Sequence, residues 1–296
     1  MNLPIQVDTR RAEYVFEQAD FERIAIIAKS GWGLNIDKAK KPLIKSRLSK
    51  RLRVLGLASF NEYCDIIEVG NEDEIEHFVM TLTTNVTHFY REVHHFDNLE
   101  TNILPSLISR AKAGERVRIW SAGCSSGKEP YSIAGSILSL DPNAGKYDLK
   151  VLASDIDPDV LQTAQAGTFH PSDCTFPSDA HRSNIFLPDQ WTARPELKSM
   201  ISFRHLNLIA DWPMSGLFDI IMCRNVAIYF DKPTQAQLWT RFCKFLRPDG
   251  HLFIGHSERI IEPDQFGLTL CGTTTYKFDD DLVSKAKTKG LTLNGA

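Results

Sequence analysis

The sequence lacks most of the short signals that mark a function class. No apolar run approaches the roughly 20 residues that a helix needs to cross a bilayer. The first residues, MNLPIQVDTRRAEYVF, have neither an apolar core nor a small-residue cleavage site, so no signal peptide is expected and the chain is expected to be cytosolic. Charge of one sign is missing too: 34 Lys and Arg face 37 Asp and Glu, a net charge of −3, too balanced for a protein that coats nucleic acid. There is no CxxC pair, no HExxH and no Cys/His cluster. The six cysteines, Cys64, Cys124, Cys174, Cys223, Cys243 and Cys271, are scattered singles and read as reduced thiols, mostly small core residues. His94 and His95 are neighbours and do not share a helix face, so no metal is expected. The absence of GxGxxG disfavours a nicotinamide dehydrogenase. No repeat and no low-complexity tract interrupts the chain.

Two compositional parts are present. Residues 18–80 read as a helical domain: Ile44, Leu48, Leu52 and Leu55 recur at helical spacing. Asn71 followed by Glu72, Asp73 and Glu74 reads as an N-cap with an acidic first turn. Residues 81–115 are expected to be a linker contributing to a site. From 116 to 281 apolar strands alternate with helical stretches: VRIW (117–120), LKVLASDID (149–157), ISFRHLNL (201–208), FDIIMCRNV (218–226) and HLFIGHSE (251–258), with a helix near 233–246. Such alternation predicts βαβ units and a parallel sheet. LTLCGTTTYKFD (268–279) alternates without a following helix and reads as an antiparallel member at the sheet edge. Pro171, Pro177, Pro188 and Pro195 break the pattern over 167–200, which reads as an inserted subdomain. The polar residues 282–296 read as a mobile tail.

Ligands of open α/β sheets bind outside the carboxyl ends of the strands, where the unusual residues of this sequence collect. The first strand runs into SAGCSSGKEPYS, whose small residues let a ligand approach the backbone at a helix N-terminus. The second ends in ASDID, with Asp155 placed to accept hydrogen bonds from ribose hydroxyls and Asp157 better read as a helix cap. Asn207 and Leu208 follow the third strand. Cys223, Arg224, Asn225 and then Tyr229 follow the fourth. Upstream, TTNVTHFYRE (83–92) gathers hydroxyls, an amide, aromatics and Arg91 in ten residues.

TTNVTHFYRE, RIWSAGCSSGKEPYS, ASDID, LNL, FDIIMCRNVAIYFD, LRPDGHLFIGHSE and TTTYKF, in this order, together resemble the CheR-type chemotaxis receptor methyltransferases over roughly residues 20–279. The resemblance implies a small all-α domain, then a Rossmann-like S-adenosylmethionine domain with a small inserted antiparallel subdomain. It implies formation of methyl esters on glutamates in the cytoplasmic helical domains of methyl-accepting chemoreceptors. By matching motifs, Asn85, Thr87, Arg91, Glu129, Asp155, Asn207, Leu208, Arg224 and Asn225 are expected to contact the cofactor, and Arg91 and Tyr229 to serve catalysis. Lys128 departs from the family, which often has an acidic residue there. The 167–200 segment, which grips a receptor tail peptide in some members, shows little likeness.

Residues 38–53, KAKKPLIKSRLSKRLR, hold eight basic residues and no acid. Because methylatable receptor helices carry clustered glutamates, Lys38, Lys41, Lys45, Arg47, Lys50, Arg51 and Arg53 are expected to form a docking face. An ionised glutamate needs no general base, which weighs against His88, His94 or His256 as a proton shuttle. Two alternatives use the same fold: a small-molecule methyltransferase, and a catalytically silent module that binds the cofactor.

Overall fold

The computed structural model describes residues 14–83, 85–279 and 282. The readings of the extreme N-terminus and of the 282–296 tail fall, Leu282 apart, outside the described residues. The chain divides between residues 83 and 84 into two compact units.

The first unit consists of α1 (Gln18–Trp32), α2 (Lys41–Leu55), α3 (Phe60–Val69) and α4 (Glu72–Leu82). Its core joins Phe21 and Ile24 of α1, Tyr63 and Ile67 of α3, and Phe78 of α4 to the α2 stripe. Ile44, Leu48 and Leu52 are buried as their spacing predicts, but Leu55, the last residue of α2, is 37% exposed. Asn71 caps α4, its Oδ1 accepting from Glu74 N at 3.0 Å, and the acidic first turn opposes the helix dipole.

The basic segment is not one continuous free face. Arg51 holds Glu74 bidentately, Nε to Oε1 at 2.8 Å and Nη2 to Oε2 at 2.6 Å. Arg47 donates to the carbonyls of Thr81 and Thr83 at the end of α4. Both arginines of the expected docking set therefore have partners within the first unit. A buried carboxylate needs a cation, and the last carbonyls of a helix lack intrahelical donors. Lys41 sits over the Phe16 ring and Arg53 over Tyr14. Lys38, Lys50 and Arg53 are exposed, Lys41 and Lys45 half-buried.

The second unit begins with α5 (Val93–Asn98), which continues through a π turn at 99–103 into α6 (Leu104–Lys112). There follow β1 (Val117–Ala122), α7 (Lys128–Leu140), β2 (Leu149–Asp155), α8 (Pro158–Ala166), α9 (Asp179–Ile185), α10 (Pro195–Met200), β3 (Ile201–His205), β4 (Phe218–Cys223), α11 (Lys232–Phe245), β5 (Leu246–Ile254), β6 (Leu268–Gly272) and β7 (Thr275–Phe278). The sheet order is β3-β2-β1-β4-β5-β7-β6, with β3 to β5 parallel and β7 antiparallel to both of its neighbours. The order reverses between β1 and β4, which makes their carboxyl ends the switch point.

Alternate residues of one strand feed two cores, as the pleat requires. Val117 and Ile119 of β1 and Ile220 and Met222 of β4 join the core under α6, α7 and α8. Trp120, Ala122, Ile221 and Cys223 join the core under α11. These strands are covered on both faces and so are almost wholly apolar.

Two segments differ from expectation, and a third, the insertion, keeps the antiparallel pairing expected of it. Residues 93–112, within the expected linker, are helical, and Phe96, Leu99, Ile103, Leu104, Leu107 and Ile108 bury one side in the first core. The π turn and Pro105 interrupt the helical period that would have marked them. LTLCGTTTYKFD is two strands rather than one: β7 inserts between β5 and β6. The 167–200 excursion holds α9, α10 and two antiparallel bridges, Thr168 with Thr192 and Phe186 with Ala193. All six cysteines are free, and Cys64, Cys124, Cys223 and Cys243 are buried. No helix among the described residues is long and apolar enough to cross a membrane.

Candidate active site

The turn after β1 is tied to β2. Gly123 N and Cys124 N both donate to Ser154 O, at 2.8 and 2.9 Å. Ser125 N donates to Asp155 Oδ2 at 2.7 Å and Asp157 N to Oδ1 at 3.1 Å. Gly123 and Gly127 have φ of 83° and 88°. A Cβ on Gly123 would collide with Val226, and one on Gly127 would lie 2.8 Å from Ala164 Cβ. Four other residues beside these strand ends also have left-handed backbones: Tyr90 (φ 51°), Glu92 (59°), Ser125 (49°) and Asn225 (60°). Each costs on the order of 1 kcal/mol, and such strain clusters at functional sites.

The Arg224 guanidinium is the centre of the charge arrangement, with its side chain 1% exposed. Nη1 lies 2.9 Å from Glu129 Oε2 and Nη2 3.2 Å from Glu92 Oε2. Nη2 also donates to the Arg91 carbonyl, and the group packs over the Phe96 ring. Ser121 Oγ donates to the other Glu129 oxygen at 2.7 Å. Burial pushes the Glu129 carboxyl up, against the pull of Arg224 and Ser121. Burial pushes Asp155 up as well, against the N–H groups of Asp157 and Ser125.

Glu92 goes the other way. Burial works against its charge, but His256 and Arg224 outweigh it and the carboxyl falls to about 2. Its Oε1 lies 2.7 Å from His256 Nδ1 and accepts from His256 N and Asn225 Nδ2, both at 3.2 Å. Glu258, also buried, accepts from the backbone N–H groups of Gly255, Asn225 and Ile228 at 2.5, 3.0 and 3.1 Å. His95 Nε2 lies 3.0 Å from Thr273 O; a carbonyl only accepts, so Nε2 carries the proton. Its Nδ1 then faces Glu92 Oε2 at 3.5 Å. Burial, then the Arg224 charge, lowers His95 to about 4. Glu92, His94 and His95 bring ligand-type atoms within 4.8 Å of one another, but the cation facing that carboxylate is already Arg224.

The expected site residues fall into three groups. Asn85 joins the Asp155 turn: its Nδ2 donates to Asp157 Oδ2 at 2.7 Å and its carbonyl accepts from Ser125 Oγ at 3.1 Å. Asp157 also caps α8. Thr87 is held by Lys128, whose buried ammonium lies 3.4 Å from Thr87 O and 2.8 Å from Asp173 O. The departure at Lys128 thus fastens the upstream segment to the 167–200 excursion. Arg91, Glu129, Arg224 and Asn225 form the second group, around the guanidinium. The Arg91 side chain itself turns back to Val86 O at 2.8 Å. The third group follows the ends of β3 and β4. Asn207 Oδ1 accepts from Ile209 N at 2.9 Å, Leu208 is buried in the second core, and Tyr229 is half-buried in the 3-10 turn Ala227–Tyr229. Sequence reasoning missed Glu92 and Glu258. Their signal was slight: each is an acid directly after a polar residue, in YRE and HSE.

Residues 85–276 match the family described as CheR methyltransferase, SAM binding domain, and residues 19–83 match CheR methyltransferase, all-alpha domain. A probable chemotaxis protein methyltransferase of Rhizobium etli is 44% identical over 83% of this chain and 94% of its own length. Chemotaxis protein methyltransferase 2 of Pseudomonas aeruginosa is 39% identical over 89% of this chain and 94% of its own. The Escherichia coli chemotaxis protein methyltransferase is 36% identical over 95% of this chain and 96% of its own.

His95 and Glu92 both bind protons more weakly when folded, so each adds stability above its unfolded value and loses it as pH falls through the folded one. The window is 6.5 down to about 4 for His95 and 4.5 down to about 2 for Glu92. In urea unfolding between pH 7.5 and 5 the His95 contribution is expected to fall with pH, against the opposite contribution of the raised Glu129 and Asp155 carboxyls, so it is read from the difference between wild type and a His95 variant. The full His95 contribution is of order 3 kcal/mol, at about 1.4 kcal/mol per pH unit. His95→Gln is expected to be less stable at pH 7.5 but to show a shallower slope. An unchanged slope would contradict the assignment.

Proposed function

The chain belongs to the CheR methyltransferase family, and from that premise we propose that it is a protein-glutamate O-methyltransferase that esterifies glutamate side chains of chemoreceptors. The observation that carries this reading is the pair of carboxylates, the buried Asp155 and the half-buried Glu129, set around a glycine turn at the switch point of the sheet.

The residues fit S-adenosylmethionine. Asp155 accepts two backbone N–H bonds, which leaves about two of its four lone pairs for ribose hydroxyls. Glu129, paired with Arg224, suits the ammonium of the cofactor's amino-acid end. Asn85, Thr87, Arg91, Asn207, Leu208 and Asn225 complete the proposed contacts. The Arg224 head group is enclosed, so its share is to hold Glu129. When bound, the cofactor supplies an electrophilic methyl group on a sulfonium.

The chain's own task is then placement. A glutamate has a pKa near 4.3 and is ionised at neutral pH, so no side chain has to take its proton. Arg91 and Tyr229 orient the incoming carboxylate. Alignment of reacting groups saves roughly 7–11 kcal/mol of barrier. A tight ion pair on the attacking oxygen would stabilise the ground state and slow transfer, which suits a guanidinium already bonded to Val86 O. In the first unit, the exposed Lys38, Lys50 and Arg53 are the docking charges for a glutamate-bearing receptor helix.

Transfer of labelled methyl groups to chemoreceptor-containing membranes, recovered as base-labile counts, tests the reading; absence of transfer by the wild type refutes it. In that assay Arg91→Ala is expected to lower turnover about 100-fold with a near-unchanged urea midpoint. Asp155→Ala is expected to weaken binding of S-adenosylhomocysteine by about tenfold or more, the loss of one or two hydrogen bonds to a charged group. Equal rates or equal affinity would remove those roles. Reversing Lys38, Lys50 and Arg53 to glutamate is expected to slow receptor methylation at low salt and to matter less at high salt. No effect at low salt would remove the docking face.

A further inference from the structure

Glu92 belongs to none of the cofactor contacts assigned above, yet more of the site converges on it than on Glu129 or Asp155. It directly follows Arg91. Its backbone is left-handed, with φ 59°, a conformation a glutamate adopts at a cost. One carboxylate oxygen accepts from the side-chain amide of Asn225 and from the backbone and ring of His256. The other lies 3.2 Å from Arg224 Nη2, and that same nitrogen donates to the Arg91 carbonyl. A contact network results, from the Arg91 carbonyl to Arg224, to the Glu92 carboxylate, to the Asn225 amide. It ties the segment upstream of the sheet to the ends of β4 and β5.

The contact with Glu92 also fixes which way round Asn225 sits. A carboxylate only accepts, so the amide must present Nδ2 to Glu92. Its Oδ1 is left buried and without a hydrogen-bond partner. A buried acceptor without a partner costs roughly 1–3 kcal/mol, and such a group calls for an explanation. The backbone of the same residue is held separately, its N–H donating to Glu258 at 3.0 Å. The residue is thus gripped at both ends, with one acceptor left over.

We propose that Glu92 is a positioning residue for methyl transfer, acting through Asn225: it holds the amide with its oxygen free to accept from the bound cofactor. The inference rests on the reading of Asn225 as a cofactor-site residue. Glu92 touches no reacting atom. Glu92→Gln is nearly isosteric but replaces one carboxylate oxygen by an NH2 group, which must face either the donors of Asn225 and His256 or those of Arg224. Glu92→Asp keeps the charge facing Arg224 and shortens the reach to Asn225.

The test uses the full chain and two readouts. Titration with S-adenosylhomocysteine is expected to show about tenfold weaker binding by Glu92→Gln, a factor of ten being about 1.4 kcal/mol. Glu92→Asp keeps the ion pair and the fold and is expected to lose affinity in the same direction. In a double-mutant cycle, Glu92→Gln combined with Asn225→Ala is expected to cost no more than Asn225→Ala alone, because the two act as one unit. A purely structural role would lower stability and leave product affinity, measured well below the melting temperature, unchanged. Wild-type affinity in both Glu92 variants overturns the inference, and so does a multiplicative cycle. A wild type that binds the product but methylates no receptor overturns the substrate reading alone.

Discussion

A guanidinium removed from water must be surrounded by acceptors, and the chemistry-bearing end of this sheet is arranged around that requirement. Arg224 meets Glu129 from the helix after β1, Glu92 from the segment before α5, and the Arg91 carbonyl. Desolvating such an ion costs several kcal/mol, recovered only with well-placed partners. Removing either acid leaves the guanidinium with a single carboxylate partner. The arginine thus forces three segments far apart in sequence to meet at the switch point, where the strand order opens a crevice.

The surrounding backbone bears the strain of this meeting. Glycine at 123 and 127 admits the tight turn against Val226 and Ala164. Tyr90, Glu92, Ser125 and Asn225 adopt left-handed conformations without being glycine. Two further acids absorb the backbone donors this exposes: Asp155 takes Ser125 and Asp157, and Glu258 takes Gly255, Asn225 and Ile228. None of these groups is disposed for proton transfer, in keeping with a reaction whose nucleophile arrives already ionised.

The alternation of apolar strands and amphipathic stretches was legible because parallel strands covered on both faces must be apolar. The Asn71 and Asp157 caps were legible because a cap is local. The helix at 93–112 was not, since a π turn and Pro105 disturb its period. Nor could sequence tell that Arg51 belongs to Glu74 rather than to a free basic face: those partners are 23 residues apart and meet only once α2 and α4 pack. Glu92 and Glu258 escaped for the same reason. An acid whose role is to hold an asparagine 133 residues away, as Glu92 holds Asn225, leaves no mark in its own neighbourhood.

The most direct test of this arrangement is the affinity of Arg224→Lys for S-adenosylhomocysteine, measured by calorimetry alongside circular dichroism. Lysine keeps the positive charge but lacks the fork that spans Glu129, Glu92 and the Arg91 carbonyl together. The account predicts a native spectrum with affinity reduced about tenfold or more, the worth of one charge-assisted hydrogen bond. A folded variant that binds the product as tightly as the wild type would contradict it.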